Sequence, residues 1–152
     1  MADRVSASIE LGGVVTSEDY IVLCRLLAEE GLSPEWDGEH FKPDDRILGE
    51  SLTLHAREVA WGCFDDLEAL CIQKKMPFVR CSDSYPGQWG PERVVFTGDG
   101  KPVSYDMDED GRVLIGQDTI RCLATMDAIL AWFEAADFTV PPLVIEGECE
   151  LP

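Results

Sequence analysis

Imidazole is scarce in this chain of 152 residues, which holds only two histidines, His40 and His55. That scarcity restricts acid–base catalysis through imidazole. Positive charge is scarce too. Twelve Lys and Arg stand against thirty Asp and Glu, a net charge of −18, and such a balance excludes binding to nucleic acid through a basic patch. No glycine-rich phosphate loop is present. "GGVVTSED" (12–19) has no lysine and places Glu18 and Asp19 where a phosphate would sit. Long apolar runs are missing, and "MADRVSASIELGGVV" carries no signal-peptide core, so the expectation is a cytoplasmic protein without membrane contact. Six cysteines occur without one CxxC pair. Zinc wants ligands in close pairs, so the thiols read as reduced packing residues, neither a metal cluster nor a disulfide framework.

What remains is ordinary globular material: 45 % hydrophobic and 28 % charged residues, enough for one domain with a real core. The charge is unevenly spread. Residues 1–50 are net −8, residues 51–101 net −1 and residues 102–152 net −9. If the two ends of the chain lie together, they form one strongly negative surface that repels nucleic acid and attracts basic partners.

Hydrophobic spacing predicts an α+β fold, a single domain over residues 1–152 with an acidic tail at 146–152. A mostly antiparallel sheet of about six strands carries about three helices, in the order β-α-β-α-β-β-β-β-α. "RVSASIELGGVV" alternates apolar and polar residues like a half-buried strand, with Gly12 and Gly13 marking a bulge or bend. The helix that follows starts at Thr16, turns Tyr20, Leu23 and Leu27 inward and stops at Gly31. Residues 33–50 read as a long acidic loop anchored by Trp36 and Phe41. A second strand (51–61) and a second helix follow, the helix with Phe64, Leu67 and Leu70 inward. Tyr20 and Phe64, Leu23 and Leu67, and Leu32 and Met76 are each 44 residues apart, which reads as a worn duplication. "PFVRC" is a third strand, "SDSYPGQWGPE" an aromatic loop, and 93–116 three short strands joined by two turns. The last helical stretch is capped by Asp118, breaks near Ala124 and packs Ile129, Leu130 and Phe133 on the sheet.

"YDMDEDGRVLIGQ" (105–117) poses a choice between a calcium loop and a hairpin tip. Asp106, Asp108, Asp110 and Gly111 fill positions 1, 3, 5 and 6 of a calcium loop. Leu114 and Gln117 then occupy positions 9 and 12, where oxygen ligands belong, and no helix leads in. The hairpin uses the same residues well: Val103, Tyr105 and Met107 share one side and Asp110-Gly111 make the turn. No cofactor is implied.

Cys63, near a helix start, and His55, nearby in sequence, are the only thiol–imidazole pairing to weigh for an enzyme, and no signature surrounds them. The candidate partner-binding residues are Glu35, Asp37, Glu39, Asp44 and Asp45 of the acidic loop, Tyr85 and Trp89 of the aromatic loop, and Asp106, Asp108, Glu109 and Asp110 of the hairpin. In the tail, Glu146, Glu148 and Glu150 would project to one side if extended.

In charge and size alone, the chain is similar to acidic inhibitor proteins of phages and plasmids. These include DNA mimics, anti-restriction and anti-CRISPR proteins, and acidic immunity proteins that block basic toxins. The resemblance carries no residue pattern. It implies a partner that is a basic protein, such as a nuclease or a CRISPR effector subunit, with no direct contact to nucleic acid or membrane. A small enzyme with an acidic or cysteine site and a weak calcium module at 106–111 stand as alternatives.

Overall fold

The computed structural model describes residues 4–85 and 87–147. Its main sheet has six strands: β1 (Arg4–Leu11), β3 (Leu52–Ala60), β4 (Phe78–Ser82), β5 (Glu92–Phe96), β6 (Val103–Met107) and β7 (Val113–Leu114). Their spatial order is β3-β1-β4-β5-β6-β7, and every neighbouring pair is antiparallel. The predicted α+β class and mostly antiparallel sheet of six strands hold, and the predicted order of elements along the chain gains a short parallel pair and a fourth helix. Glu146 is inside the described residues, while Glu148 and Glu150, the rest of the acidic row expected in the tail, lie outside them.

The opening strand ends sooner than its alternation suggests. At Gly12 the chain leaves the main sheet, and β2 (Gly13–Val15) pairs in parallel with β8 (Leu143–Ile145). Two glycines are needed there for separate reasons. A Cβ on Gly12 would sit 1.8 Å from the Pro141 carbonyl oxygen, and Gly13 has φ +95°. The expected bend is therefore a switch between sheets, at the point where the C-terminal segment crosses the N-terminal one.

Alternation along β1 buries Val5, Ala7, Ile9 and Leu11 on one face. Against that face lie α1 (Ser17–Glu29) and α2 (Asp65–Gln73), which seal the main core with Leu23, Leu27, Phe64, Leu67 and Cys71. Thr16 caps α1 by accepting the Asp19 amide at 3.0 Å. Burying six or more large side chains at roughly 1.5–3 kcal/mol each makes this layer the main source of stability. The opposite face holds a smaller cluster. There Val79, Val95 and Tyr105 meet Ala136 and Val140, with Trp132 and Phe138 packed alongside.

The final helical stretch is two helices, α3 (Gln117–Leu123) and α4 (Met126–Ala136). Ala124 sits between them in the left-handed region, φ 66°, and Thr125 caps α4 by accepting the Ala128 amide at 3.2 Å. The break re-phases the apolar stripe. Leu130, expected inward, is 54 % exposed, while Trp132 and Ala136 face the sheet. Gly116, not Asp118, is the α3 N-cap, so Asp118 lies in the first turn, where its charge still suits the helix dipole. Arg93 donates to the Ala136 and Phe138 carbonyls at 2.7 and 3.3 Å and so ties the end of α4 to β5.

The 44-residue spacing recurs in backbone hydrogen bonds. Glu30 N–H bonds Leu26 O as Lys74 N–H bonds Leu70 O, and Leu32 N–H bonds Leu27 O as Met76 N–H bonds Cys71 O. Gly31 and Lys75 take the matching left-handed position, at φ 69° and 56°. No helix among the described residues is long and apolar enough to cross a membrane.

Candidate functional site

Strand direction decides which loops meet. β1 starts, β3 and β4 end, β5 starts and β6 ends at one end of the sheet. The C-terminus of α1 and the N-terminus of α2 meet there too, since Glu29, Glu30, Asp65 and Asp66 line one cavity with Arg4, Arg57 and Glu58. Glu58, Asp83, Glu92, Asp106 and the 108–110 turn belong to the same end. Its basic residues are largely occupied. Arg57 makes a two-pronged bond to Asp37 at 2.6 and 3.0 Å. Arg112 bonds Asp108 and Asp110 at 2.7 and 3.2 Å. Burial raises the Glu30 carboxyl above its ordinary value, and Asp66, Asp65, Glu68 and Glu29 push it further. Glu29 and Glu30 also sit at the negative end of the α1 dipole, where carboxylates are unfavourable. Carboxylate repulsion is concentrated around Glu30, while ion pairs relieve it elsewhere at this end.

At its centre lies an aromatic group. Trp61 and Trp89 have ring centroids 5.9 Å apart, and Tyr85 stacks on Trp89 at 5.1 Å. Tyr85 and Trp89 close their loop on each other through paired backbone bonds of 3.0 and 3.1 Å. Trp61 is 54 % exposed and holds φ 57°, a left-handed conformation that costs a bulky residue about 1–2 kcal/mol. The following residue, Gly62, is also left-handed, and a Cβ there would stand 2.7 Å from Ser82 Cβ. This tight turn throws the Trp61 ring outward beside Trp89. The two rings wall a cavity of about 240 Å³ completed by Ser82, Gly90, Glu92 and Asp106.

Beneath it runs a buried ion network. The Arg80 side chain is 5 % exposed and donates to Glu68 at 2.9 Å, to Glu92 at 3.3 Å and to the Gly62 carbonyl at 2.8 Å. Glu68 also accepts the Phe64 amide at 2.7 Å, which caps α2. Burial raises the Glu68 carboxyl, while Arg80 opposes the rise. Glu92 accepts from Ser104 as well, so its carboxylate is fixed from two sides at the cavity wall.

The predicted residues are partly gathered and partly separated. Tyr85, Trp89 and Asp106 meet here, and Glu109 reaches the aromatic loop by accepting from Ser84 at 3.0 Å. Glu35, Glu39 and Asp45 line a different cavity with Ile47, beside the β3 edge. Asp37 is engaged by Arg57, and Asp44 lies in the 3-10 turn Pro43–Asp45. Four strand spacings, about 19 Å, separate β3 from β6, so the acidic loop and the hairpin tip stand at opposite edges. The single face expected from the charge distribution is thus corrected to two patches. The chain ends do approach each other through β2 and β8, and Leu143 N–H bonds the Glu50 carbonyl at 3.1 Å, but that junction is distant from the hairpin. Trp36, expected to anchor its loop inside, stacks outward on His55 at 4.6 Å with Arg57 over its ring at 5.3 Å.

The 106–111 stretch is built as a hairpin turn between β6 and β7. Asp108 accepts the Asp110 and Arg112 amides and the Arg112 guanidinium, bonds that hold its carboxyl below the ordinary range. Asp106 lines the tryptophan cavity instead of joining Asp108 and Asp110. Among the described residues no group of three or more His, Cys, Asp or Glu converges in a way that could hold a metal ion. Cys63 donates to the Trp61 carbonyl at 3.3 Å, and burial pushes its thiol up. His55 faces the other side of the sheet, next to Ser8 and Trp36, so the thiol and the imidazole are not assembled as a pair.

Sequence reasoning missed Trp61 and Glu92. "AWGC" ends a strand with an aromatic followed by glycine, a turn signal that could have marked Trp61 as outward-facing. Nothing local marks Glu92, whose role comes from its register opposite Ser82 and Asp106. No protein-family model, no curated protein and no solved structure matches this chain.

Proposed function

We propose that this protein is a binding and inhibitor protein that seats the carboxylate-rich end of its sheet in a basic groove of a nucleic-acid-handling protein, as an anti-restriction or anti-CRISPR-like decoy does. The observation that carries the reading is one end of the sheet with exposed Trp61 and half-buried Tyr85 and Trp89 at its centre and carboxylates around them. That is the layout of an interface: aromatic anchors for affinity, a charged rim for steering and selectivity. Carboxylates crowded at a cost to the free protein are favourable once cationic side chains face them. The acidic loop at 33–50 adds a second patch on the β3 edge, which lengthens the negative surface without joining it.

The test is capture of partners from lysate on immobilised protein, read by mass spectrometry at about 50 mM and about 500 mM salt, a range over which the Debye length falls severalfold. The expected partner is a nucleic-acid-binding protein, retained at low salt, lost at high salt and displaced by duplex DNA. Charge reversal at Asp83 and Glu109 should slow its association more than reversal at Asp44 and Asp45. Recovery independent of salt, or partners that do not handle nucleic acid, would overturn the proposal.

A further inference from the structure

Resting on that reading, we infer that the Trp61–Trp89 cavity is a receptor for one arginine side chain of the partner, whose guanidinium lies on a tryptophan face and donates to Glu92 and Asp106. Two features of the cavity point to a planar cation. Two of its lining side chains are indoles, whose faces carry the negative side of the ring quadrupole. Its polar members, apart from Ser82, are carboxylates. An apolar guest would leave the Asp106 carboxylate desolvated without a donor, and an anion would meet both carboxylates directly. A guanidinium satisfies walls and carboxylates together, since its face stacks while its edge offers N–H groups in a fixed fork.

The charges near the floor permit this. Arg80 lies below, but Glu68 and Glu92 both bond it. With Asp106 counted, three carboxylates surround one guanidinium, a local balance of −2. Glu92 is preorganised by Arg80 and Ser104, so little freedom is lost when a guest arrives. Asp106 is exposed, and its side chain has no hydrogen-bond or ion-pair partner among the described residues. The left-handed backbone at Trp61 keeps its ring outside the core, where it can act as a platform. The other exposed tryptophan, Trp36, already carries a cation on its ring, Arg57, which in turn bonds Asp37. The same pairing of indole, guanidinium and carboxylate therefore occurs within this molecule.

The experiment uses the full chain and the peptide acetyl-Gly-Arg-Gly-amide, with its citrulline counterpart as the uncharged control. Indole N–H resonances of the four tryptophans report position. The arginine peptide should shift Trp61 and Trp89 saturably, with a Kd on the order of 1–10 mM for one exposed cationic side chain. Trp36, beneath Arg57, and Trp132, between Tyr105 and Phe133, should stay unmoved. Asp106→Asn, at an exposed position, should weaken binding roughly fivefold or more. Trp61→Asn, a residue that accepts left-handed backbone, should abolish the Trp89 shift. Equal shifts with the citrulline peptide, no saturation, or an unchanged Kd in Asp106→Asn would overturn the inference. Partner capture is read separately, so loss of one result does not imply loss of the other.

Discussion

Arg80→Met removes the cation from a site where two carboxylates depend on it. The Glu68 side chain is 14 % exposed and would be left facing an apolar thioether while still capping Phe64 N–H. A carboxylate in that position either stays ionised at a large desolvation cost or takes up a proton. Protonating a group with an ordinary value of 4.5 costs about 1.4 kcal/mol per pH unit above that value, or roughly 3.4 kcal/mol at pH 7. Lost bonds to Gly62 and Ser82 add to this, so a loss of about 3–5 kcal/mol is expected at neutral pH, the range seen when one partner of a buried pair is removed. The sign follows from proton binding. In the variant the folded state holds a proton that the unfolded state has released, so its stability falls as pH rises above 4.5. Urea unfolding followed by tryptophan fluorescence at pH 5.5 and 7.5 should show the deficit against wild type growing by about 1–3 kcal/mol across that interval. Adding Glu68→Gln, which keeps an acceptor for Phe64, should remove most of the pH dependence. A deficit below about 1 kcal/mol, or one equal at both pH values, would refute the view that Arg80 holds a buried charge in place.

The wild-type protein should be most stable on the acid side of neutrality. Glu30 and Glu68 are raised above 4.5, so their contribution is full below that value and lost as pH rises through their folded values, whereas Asp37 and Asp108 are lowered below 3.8 and theirs is lost on strong acidification. A Tm that climbs steadily from pH 5 to pH 8 would contradict this. Thiol labelling with Ellman's reagent at pH 8 and peptide mapping should find exposed Cys122 modified early. Cys71, fully buried with its thiol pushed up to about 12, should react only after unfolding; modification of Cys71 in the folded protein would show that the α2 packing is wrong.

Legibility followed the range of the interactions. Strands with clean alternation, such as Val5 to Leu11, and caps such as Thr16 were readable because burial period and local hydrogen bonding are properties of neighbours in sequence. The helix break at Ala124 was readable from Thr125 for the same reason. The rotation it imposes on Leu130 was not, since that depends on how α4 meets the sheet. Tyr85, Trp89 and Asp106 were visible as residue types with recognition chemistry. Their meeting was fixed by the β4-β5-β6 register, which no local pattern encodes. Charge misled in one respect: the acidic stretches of the first and last thirds, net −8 and −9, stand at opposite edges, because strand order need not follow sequence order.

The matched helix ends give a physical reason for that division of the charge. After the second helix the chain runs from Met76 and Pro77 directly into β4, which pairs with β1 from Phe78 onward. After the first helix the equivalent residue, Ser33, makes a single antiparallel bridge to His55 and the strand goes no further. Pro34 follows at once and removes the next backbone donor. The acidic segment to Glu50 then takes the place beside β3 where continued pairing would extend the sheet. A carboxylate-rich loop on a sheet edge blocks pairing with other chains, which by itself is sufficient reason for the charges at Glu35, Glu39 and Asp45. No such reason exists at the other end. Asp106 and Glu92 line a cavity on the sheet face, where their charge protects no edge. The two patches therefore differ in what explains them: edge protection accounts for the first, and the proposed ligand of the tryptophan cavity accounts for the second.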